Sequence, residues 1–437
     1  MPSFSPVRFA SGVSLCFATD DGVAGVGSRT LADWKVELGN QLDRTLAFWT
    51  SPRLRDERHG GFLVFLDEEL RPTGRTEKNL IVHLRMLYNY ALALHRCREP
   101  ARRRELQAEY ERQFRFLVVK FHDKKDGGWH WELNRDGSVA DPSKVGVGEI
   151  YAIYILAELF RMIGDPEARE YARKTFELIE ARSADPLHGG YFDRRDLPPA
   201  HRLNLRKQSA THLHMILALA RLYRSSPRDI YRRRAQQLID IMCTRFHAPN
   251  GNGYYALTRD FRPIEDARPW ENGQFNTITC YGHNMEMLWY VLDAVQTFGG
   301  EPARLRPWWE NLMSGFFEYG LRGGVGVNYI GPPDGPTRDT RILWWSQNEA
   351  MITLMRLYEV TGEENYLRHF ERITRWSFDN MARDGTGCWF SVVDMDGHRL
   401  TGENYRGGTN WKVDFHVVRA LRLCLRSLDR IMAARAP

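Results

Sequence analysis

Residues 125–141 have the sequence KDGGWHWELNRDGSVAD, in which a pair of glycines is followed by aromatic and alternating residues. Such a stretch predicts a tight turn and a short β-hairpin, because glycine permits the backbone conformation of the turn and alternation suits a pleated strand. Related stretches occur six times, near Gly60, Gly127, Gly189, Gly251, Gly323 and Gly385, at intervals of 62 to 72 residues. A regular interval of this size is typical of a repeat architecture.

The segments between these turns predict pairs of helices. Their apolar residues follow helical periodicity, interrupted once per repeat by a short connector such as IGDPEA at 163–168. The helix after a connector, for example 228–246, has one apolar stripe and one charged face, as expected of an outer helix with one wet side. The helix before a connector, for example 280–298, is apolar nearly all round and must be buried on both sides.

About twelve helices that are alternately buried and half exposed predict an all-α fold. We expect a closed (α/α)6 barrel of six helix pairs, with short β-hairpins at one end. An open solenoid of helix pairs is the alternative, but solenoids usually carry polar caps and have no reason to stop at six repeats. We expect a single barrel domain over residues 31–437, preceded by a mobile N-terminal extension over residues 1–30.

Composition and charge exclude several classes of protein. Hydrophobic residues make up 43% of the 437 residues and there are 13 Trp, so the chain can build a large core. The net charge is +6, but the arginines are interspersed with acidic residues, as on solvated helix faces, and we expect no nucleic-acid partner. No apolar run approaches the roughly 20 residues of a membrane span, so we expect no membrane partner. Six scattered cysteines without metal-site spacing predict reduced thiols and a cytoplasmic location.

Polar residues recur at one depth of the predicted inner helices. These helices are expected to begin near residues 77, 145, 207, 278, 342 and 411. About one turn into them lie Arg85, Glu149, His214, His283, Trp345 and His416, with Glu286 and Glu349 close by. Such side chains on apolar helices cost free energy unless they are paired or solvated. Their matched depth predicts that they surround one mouth of the barrel lumen.

The histidines among them have more than one interpretation. His283 and Glu286 lie at i and i+3, so they share a helix face and the carboxylate can orient the imidazole. His212 and His214 face different directions, and we choose His214 because it lies deeper in its helix. A lone buried histidine is usually a hydrogen-bonded core residue, but three at matched depth favour a functional site.

Two further readings of the lumen residues stay open. Zinc could be held by His214, His283 and His416, although the absence of an i,i+4 histidine pair disfavours it, and we expect no metal. Trp344 and Trp345 could equally be core aromatics or platforms on which a sugar stacks.

Five motifs in this order resemble the N-acylglucosamine 2-epimerase family, and within it the branch of cellobiose and aldose 2-epimerases. They are KNLIVHLRMLYNY at 78–90, THLHM at 211–215, YGHNMEM at 281–287, LWWSQNEA at 343–350 and WKVDFH at 411–416. The resemblance covers nearly the whole chain from about residue 31. It implies an (α/α)6 barrel, which agrees with the fold predicted from the repeat.

The resemblance also implies roles for the lumen residues. His283 and His416 would be the two acid/base residues, and Glu286 would partner His283. Arg85 would contact the sugar oxygens at C1 and C2, and His214 would assist ring opening. Trp345, Glu349 and Trp411 would line the sugar site, where we also place Trp344 and Glu149. Two departures, Ala210 in place of Asn and WKVDF in place of Trp-Lys-Cys-Pro-Tyr, touch substrate contacts and so bear on the substrate rather than the reaction.

The implied reaction is inversion at C2 of an aldose, or of the reducing-end sugar of a β-1,4 disaccharide. Two histidines suit it, because a proton must leave one face of C2 and return on the other, through an enediolate that Arg85 would stabilise. The reaction has no redox step, so we expect no cofactor. A mannose–fructose type isomerase is the alternative, followed by an inverting glycoside hydrolase using two of Glu149, Glu286 and Glu349 and by a sugar-binding protein without catalysis. We expect a monomer or homodimer.

Overall fold

The computed structural model describes residues 29–264, 278–337, 339, 341–402 and 406–435. Twelve α-helices lie within these residues: α1 (Leu31–Trp49), α2 (Leu80–Arg96), α3 (Pro100–Phe116), α4 (Gly146–Ile163), α5 (Pro166–Arg182), α6 (Ser209–Ser225), α7 (Asp229–Thr244), α8 (Tyr281–Thr297), α9 (Arg306–Gly315), α10 (Trp344–Thr361), α11 (Glu364–Asn380) and α12 (Phe415–Arg435). The proposed N-terminal extension lies outside the described residues, apart from its last two.

Eleven short strands in the described residues form the hairpins. They are β1 (Lys78–Asn79), β2 (Glu132–Leu133), β3 (Val139–Asp141), β4 (Arg206–Gln208), β5 (Ala256–Thr258), β6 (Thr279–Cys280), β7 (Leu321–Arg322), β8 (Gly326–Val327), β9 (Ile330–Gly331), β10 (Ile342–Leu343) and β11 (Val392–Val393). All pairings are antiparallel, in the orders β1-β2-β3, β4-β5, β6-β9, β7-β8 and β10-β11. Most inner helices therefore follow directly on a strand of such a sheet.

The even-numbered helices form a closed inner ring. Each packs against the next along the chain, from α2 to α12, and α12 returns to α2. The ring is therefore a closed barrel, as predicted, and the open solenoid is excluded. The inner helices begin one to four residues later than expected, because short strands or loops that pair with the hairpins precede them.

The two kinds of helix differ in burial as their sequences predict. On the outer helix α7 the buried residues lie on one stripe, with Tyr231, Ala235, Leu238 and Met242 at helical spacing. On the inner helix α4 all but four residues are buried. The helix ends at Gly164, which adopts the left-handed conformation that commonly terminates a helix. The apolar faces of both kinds meet in one continuous core.

Six side chains near the starts of the inner helices fasten the hairpins to the barrel, and we call them the anchor ring: His83, Glu149, His212, Asn284, Gln347 and Asp414. Five of them accept a backbone N–H from the residue after a hairpin turn, from Phe62, Trp129, Tyr191, Val327 and Trp389, at 3.1 to 3.3 Å. Asn284 takes the same position in the fourth repeat, with its Oδ1 directed at Gly253. The anchor ring thus fixes five hairpins by hydrogen bonds at one end of the barrel, and Asn284 lies against the sixth.

The repeated glycines are explained by these anchors. Gly128 and Gly190 have φ of +74° and +66°, which only glycine adopts readily. A Cβ atom would lie 2.1 Å from Glu149 Oε1 at Gly128 and 2.3 Å from His212 Nε2 at Gly190. Any other residue would therefore displace the anchor as well as strain the turn.

Two smaller observations concern location and redox state. None of the helices in the described part of the chain is both long and apolar enough to cross a membrane. The five cysteines among the described residues are free thiols. Cys16 lies outside the described residues.

Candidate active site

Two residues beyond the anchor ring, each inner helix carries a second buried polar side chain. We call this set the lumen ring: Arg85, Tyr151, His214, Glu286, Glu349 and His416. Two residues turn an α-helix by about 200°, so the lumen ring points away from the hairpins and toward the barrel axis. The two rings together account for most of the polar side chains on the first turns of the inner helices.

Arg419 joins the two carboxylates of the lumen ring. Its Nη2 donates to Glu286 Oε1 and to Glu349 Oε1, each at 2.7 Å, and its Nη1 donates to the Tyr290 hydroxyl at 2.8 Å. Trp289 Nε1 donates to Glu349 Oε2 at 2.9 Å. Burial opposes the ionisation of Glu286, yet the nearby His214 and Arg419 more than offset it, so its pKa lies below the ordinary value. Arg419 therefore fixes both carboxylates in position.

His416 is fixed by partners on both ring nitrogens. Its Nδ1 lies 2.7 Å from Glu349 Oε1, which can only accept, so Nδ1 carries the proton. Its Nε2 lies 3.2 Å from Arg85 Nη2, which can only donate, so Nε2 presents a lone pair. Burial, together with the charges of Arg85 and Arg419, holds the pKa of His416 well below its usual value. His416 is thus a neutral imidazole whose Nε2 lone pair faces Arg85.

His214 has the same tautomer by a different route. Its Nδ1 donates to the Ala210 carbonyl at 2.7 Å, four residues earlier on α6. Its Nε2 has no hydrogen-bond partner among the described residues and lies 3.8 Å from Glu286 Oε2. Burial lowers the pKa of His214 to about 4, although the Glu286 charge opposes the shift. His214 Nε2 is therefore an acceptor available to a ligand.

His283 lies one turn nearer the mouth than Glu286. Its Nε2 is 3.9 Å from Glu286 Oε2, and its ring stacks on Tyr255 with centroids 5.6 Å apart. Trp345 contacts the rings of both His283 and His416, at centroid distances of 5.2 and 5.7 Å. Burial lowers the pKa of His283, while the negative charges of Glu286 and Glu349 oppose that shift. The two histidines predicted to carry the chemistry therefore border one aromatic side chain.

Arg85 and two tryptophans occupy the side of the lumen nearest α12 and the second hairpin. Arg85 Nη2 donates to the Tyr151 hydroxyl at 2.9 Å, and Nη1 donates to the Trp411 carbonyl. The side chain of Trp411 is 49% exposed, and its ring lies 6.1 Å from that of Trp131. This places an accessible aromatic pair beside the arginine.

The structure does not bring every predicted residue to the lumen. Glu149 belongs to the anchor ring, where it accepts from the Trp129 backbone and pairs with Arg195 Nε at 2.6 Å. Its ion pair occupies both carboxylate oxygens, so it has none left for a sugar. Trp344 is mostly buried, with its ring edge-on to His416 at 6.4 Å and against Lys412.

Sequence reasoning missed two of the central residues. Tyr151 follows Glu149 by two positions, the spacing that also separates Arg85 from His83 and His214 from His212. Arg419 follows His416 by three positions, so both lie on one face of α12. A count of register along each helix could have found both. Tyr255 lies in a hairpin, and nothing in the local sequence marks its contact with His283.

The donor atoms of Glu286, Glu349 and His416 lie within 4.8 Å of one another, as in a metal site. Arg419 already bridges the two carboxylates, so a guanidinium cation occupies the position of a metal ion. Within the described residues, His214 and His283 do not join this group. The zinc alternative from three histidines therefore has no support in the geometry.

Comparisons with known proteins agree with this architecture. A D-mannose isomerase of Marinomonas mediterranea is 24% identical, over 91% of this chain and 98% of that protein. A cellobiose 2-epimerase of Bacteroides fragilis is 28% identical over 398 residues, or 87% of this chain and 96% of that protein. The solved structure of cellobiose 2-epimerase from Spirochaeta thermophila matches with a TM-score of 0.79 at 28% identity, over 92% of this chain and 98% of that one. The family model described as N-acylglucosamine 2-epimerase (GlcNAc 2-epimerase) matches residues 60–420, and the chain therefore belongs to that family.

Proposed function

We propose that the protein is a sugar 2-epimerase that inverts C2 of an aldose, free or at the reducing end of a disaccharide, by proton transfer between two histidines. The observation that carries the proposal is that His416 and His283 contact the same tryptophan: His416 is oriented by Glu349 and kept neutral by burial, Arg85 and Arg419, and His283 lies beside Glu286. Family membership supports the reaction class. The substrate and the histidine roles rest on the chemistry below.

The reaction needs an open-chain sugar, because the C2 proton is acidic only when C1 is a carbonyl. Opening a hemiacetal breaks the C1–O5 bond, places a proton on the ring oxygen O5 and removes the proton of the O1 hydroxyl. His214 Nε2 accepts that proton, since its lone pair has no other partner among the described residues and Nδ1 is committed to the Ala210 carbonyl. Glu286 lies close enough to stabilise the imidazolium that forms.

The two catalytic histidines differ in charge preference. His416 is surrounded by Arg85 and Arg419, so it accepts the C2 proton as a neutral base through Nε2. His283 has two carboxylates and no arginine among the groups that shift its pKa, so it holds a proton more readily. His283 therefore returns a proton to the opposite face of C2. In the reverse direction the two exchange roles, as microscopic reversibility requires.

The enediolate intermediate carries negative charge on the oxygens at C1 and C2. Arg85 is the cation with a donor next to His416 Nε2, and in the free enzyme that donor binds the base itself. Substrate oxygens would replace His416 as its acceptor, which frees the base as the anion forms. A fixed guanidinium in a buried lumen stabilises such an anion more than it would in water.

An aromatic pair at the mouth of the lumen favours a substrate with a second sugar unit. Trp411 and Trp131 form an exposed aromatic pair beside Arg85, and sugars stack on such surfaces through their apolar faces. We therefore favour the reducing end of a disaccharide over a free monosaccharide as substrate. The catalytic unit proposed for this reaction is a single domain over residues 31–437.

Proton NMR in D2O tests the proposal, with glucose, mannose, N-acetylglucosamine and cellobiose in separate samples. We expect deuterium at C2 together with the 2-epimer of one sugar, cellobiose foremost. His283→Asn and His416→Asn serve as matched controls and should give neither product nor full exchange. Absence of exchange with all four sugars would overturn the two-histidine proposal.

A ketose-forming isomerase is the second candidate, because the relative from Marinomonas mediterranea is a D-mannose isomerase and the same groups could return the proton to C1. Fructose from mannose, without glucose, would identify it. The hydrolase alternative is weaker, since Glu286 and Glu349 both pair with Arg419, whereas an inverting hydrolase needs one carboxyl group that can donate a proton to the leaving group. Glucose release from cellobiose would support it.

A further inference from the structure

A cavity of about 300 Å³ lies at the end of the barrel opposite the hairpins. Its lining includes six arginines, Arg161, Arg221, Arg224, Arg356, Arg426 and Arg430, but only one carboxylate, that of Asp293. Arg221 and Arg356 follow the lumen ring by seven residues on their helices, and Arg161, Arg224 and Arg426 follow it by ten. At 1.5 Å per residue the cavity therefore begins about 10 Å below the candidate active site.

Positive charge exceeds negative charge around this cavity. Glu158 pairs with Arg161 and Arg221, and Glu359 pairs with Arg356 and Arg430. Arg224 shares Asp293 with Arg221. Arg426 has no ion-pair partner within the described part of the chain. The six lining arginines therefore share three carboxylates, those of Glu158, Asp293 and Glu359.

A purely structural role explains part of this arrangement. The inner helices end here, and arginines in a last turn interact favourably with the partial negative charge of the helix C-terminus. A structural network, however, would gain from close packing, and these arginines instead surround a cavity of about 300 Å³. Arg356 Nε is also buried without a hydrogen-bond partner among the described residues.

The crowding of like charge is visible at Arg224. Burial and the charges of Arg221 and Arg161 lower its pKa to about 10, even though Asp293 opposes the shift. An anion in the cavity would relieve this repulsion. Planar guanidinium groups match the oxygens of phosphate in pairs, which makes phosphate the chemistry best suited to the lining.

A tryptophan separates this cavity from the candidate active site. Trp289 lines the cavity, and its indole Nε1 donates to Glu349 Oε2, the carboxylate that holds His416. Arg419 also lies over the Trp289 ring at 5.2 Å. A ligand in the cavity would therefore not occupy the sugar position.

We propose that the arginine-lined cavity at the base of the barrel binds a small oxyanion of the phosphate class, inorganic or carried by a metabolite, separately from the sugar site. The site consists of Arg161, Arg221, Arg224, Arg356, Arg426 and Arg430. It does not depend on the proposed epimerase activity, and its test needs no turnover.

Isothermal titration of the full chain with inorganic phosphate, at constant ionic strength with chloride as the control anion, tests the proposal. We expect saturable binding of one phosphate per chain. Arg224→Gln/Arg426→Gln should weaken binding about tenfold or more, since two charge-assisted hydrogen-bonding groups are lost. Arg104→Gln/Arg368→Gln, which removes two exposed arginines elsewhere, should change it by less than about twofold.

Two further variants distinguish other outcomes. Arg85→Gln should retain phosphate binding, because Arg85 lies in the sugar site. If Arg85→Gln loses phosphate binding while Arg224→Gln/Arg426→Gln retains it, the anion binds in the sugar site and the proposal is overturned. Arg426→Glu reverses the charge of one exposed side chain without disturbing the core and should also abolish binding. No saturable phosphate heat in the wild type would equally overturn it. Glucose 6-phosphate binding more tightly than phosphate would identify an organic phosphate as the ligand, and equal affinities would identify free phosphate.

Discussion

His212 and His214 lie two residues apart on α6, and their comparison separates the two rings of the barrel. Both are buried, and both donate Nδ1–H to the carbonyl four residues earlier, at 2.7 Å. His212 Nε2 accepts the Tyr191 backbone N–H, whereas His214 Nε2 has no partner among the described residues and faces Glu286. The same side chain with the same tautomer is thus an anchor in one position and a potential base in the other.

The comparison shows that the direction in which a side chain points, rather than its residue type, determines whether it supports the hairpins or the candidate active site. Anchor residues complete hydrogen bonds of the hairpin backbone, and loss of one leaves a buried donor unsatisfied. Lumen residues bond mainly to one another and to Arg419, and His214 Nε2 is left as an acceptor for a ligand, so we expect them to contribute more to function than to the hairpin fold. Changes in the two rings should therefore separate activity from stability.

The largest effect is expected at the two proposed acid/base residues, His416 of the lumen ring and His283 beside it. His416→Ala and His283→Ala should each lower kcat by about 10²–10⁴, the usual contribution of an acid/base group. The thermal unfolding midpoint should fall less than in the anchor variants below, because Glu349 keeps its bonds to Arg419 and Trp289 when His416 is removed. Steady-state epimerisation and thermal unfolding on the same preparations measure both. Wild-type kcat in either variant would contradict the assignment.

Loss of the ion-paired anchor Glu149 should lower stability and leave activity nearly unchanged. Glu149→Gln leaves Arg195 as a nearly buried charge without its ion pair and should destabilise the protein by about 3–5 kcal/mol. KM and kcat of the folded fraction should stay within about threefold of wild type, because Glu149 does not reach the lumen. Denaturant unfolding and kinetics at low temperature test this. A large rise in KM with unchanged stability would return Glu149 to the sugar site.

A histidine anchor should give a smaller loss of stability. His212→Ala leaves the Tyr191 N–H without its acceptor and should cost about 1–3 kcal/mol, with kcat nearly unchanged. His83→Ala is the matched variant in the first repeat, where Phe62 loses its acceptor. His214→Ala on the same helix should instead lower kcat at nearly constant stability. Equal effects of His212→Ala and His214→Ala on kcat would erase the distinction between the rings.

The mouth of the lumen should respond only to larger substrates. Trp411→Ala should raise KM for cellobiose about tenfold, within the usual range for an aromatic stacking contact, and leave KM for glucose or mannose within about twofold. The side chain is half exposed, so stability should not change. KM values for the two classes of sugar, measured side by side, decide whether the aromatic pair binds a second unit.

A pH effect on the hairpin side should be the smallest. Asp193 is buried and accepts the Thr211 hydroxyl, and burial raises its pKa to about 7 from 3.8. The unfolded chain ionises this carboxyl near pH 4 and the folded protein only near pH 7, so stability falls as pH rises through that window. Asp193→Asn should therefore raise the unfolding midpoint at pH 8 by about 2–4 °C more than at pH 4. Activity should not depend on the substitution.

Several features followed from the sequence alone. The interval of the glycine turns predicted six repeats, and the contrast between apolar and striped segments predicted inner and outer helices. Titratable residues at matched depth on α2, α6, α8, α10 and α12 predicted the lumen, because all inner helices start at the same end of the barrel. On α4 the same reasoning selected Glu149 rather than Tyr151, because it preferred a charged residue to the residue at the matching position along the helix.

The tertiary structure decided what no local pattern contains. His416 meets Glu349 across 67 residues of sequence, and Arg419 meets Glu286 across 133. Such pairs form only when the ring closes and brings α8, α10 and α12 together. The sequence therefore determined which helices are buried and at what depth their polar residues lie, through periodicity and burial. Ring closure decided which of those residues contact one another, because hydrogen bonds between different helices depend on distance in space and not along the chain.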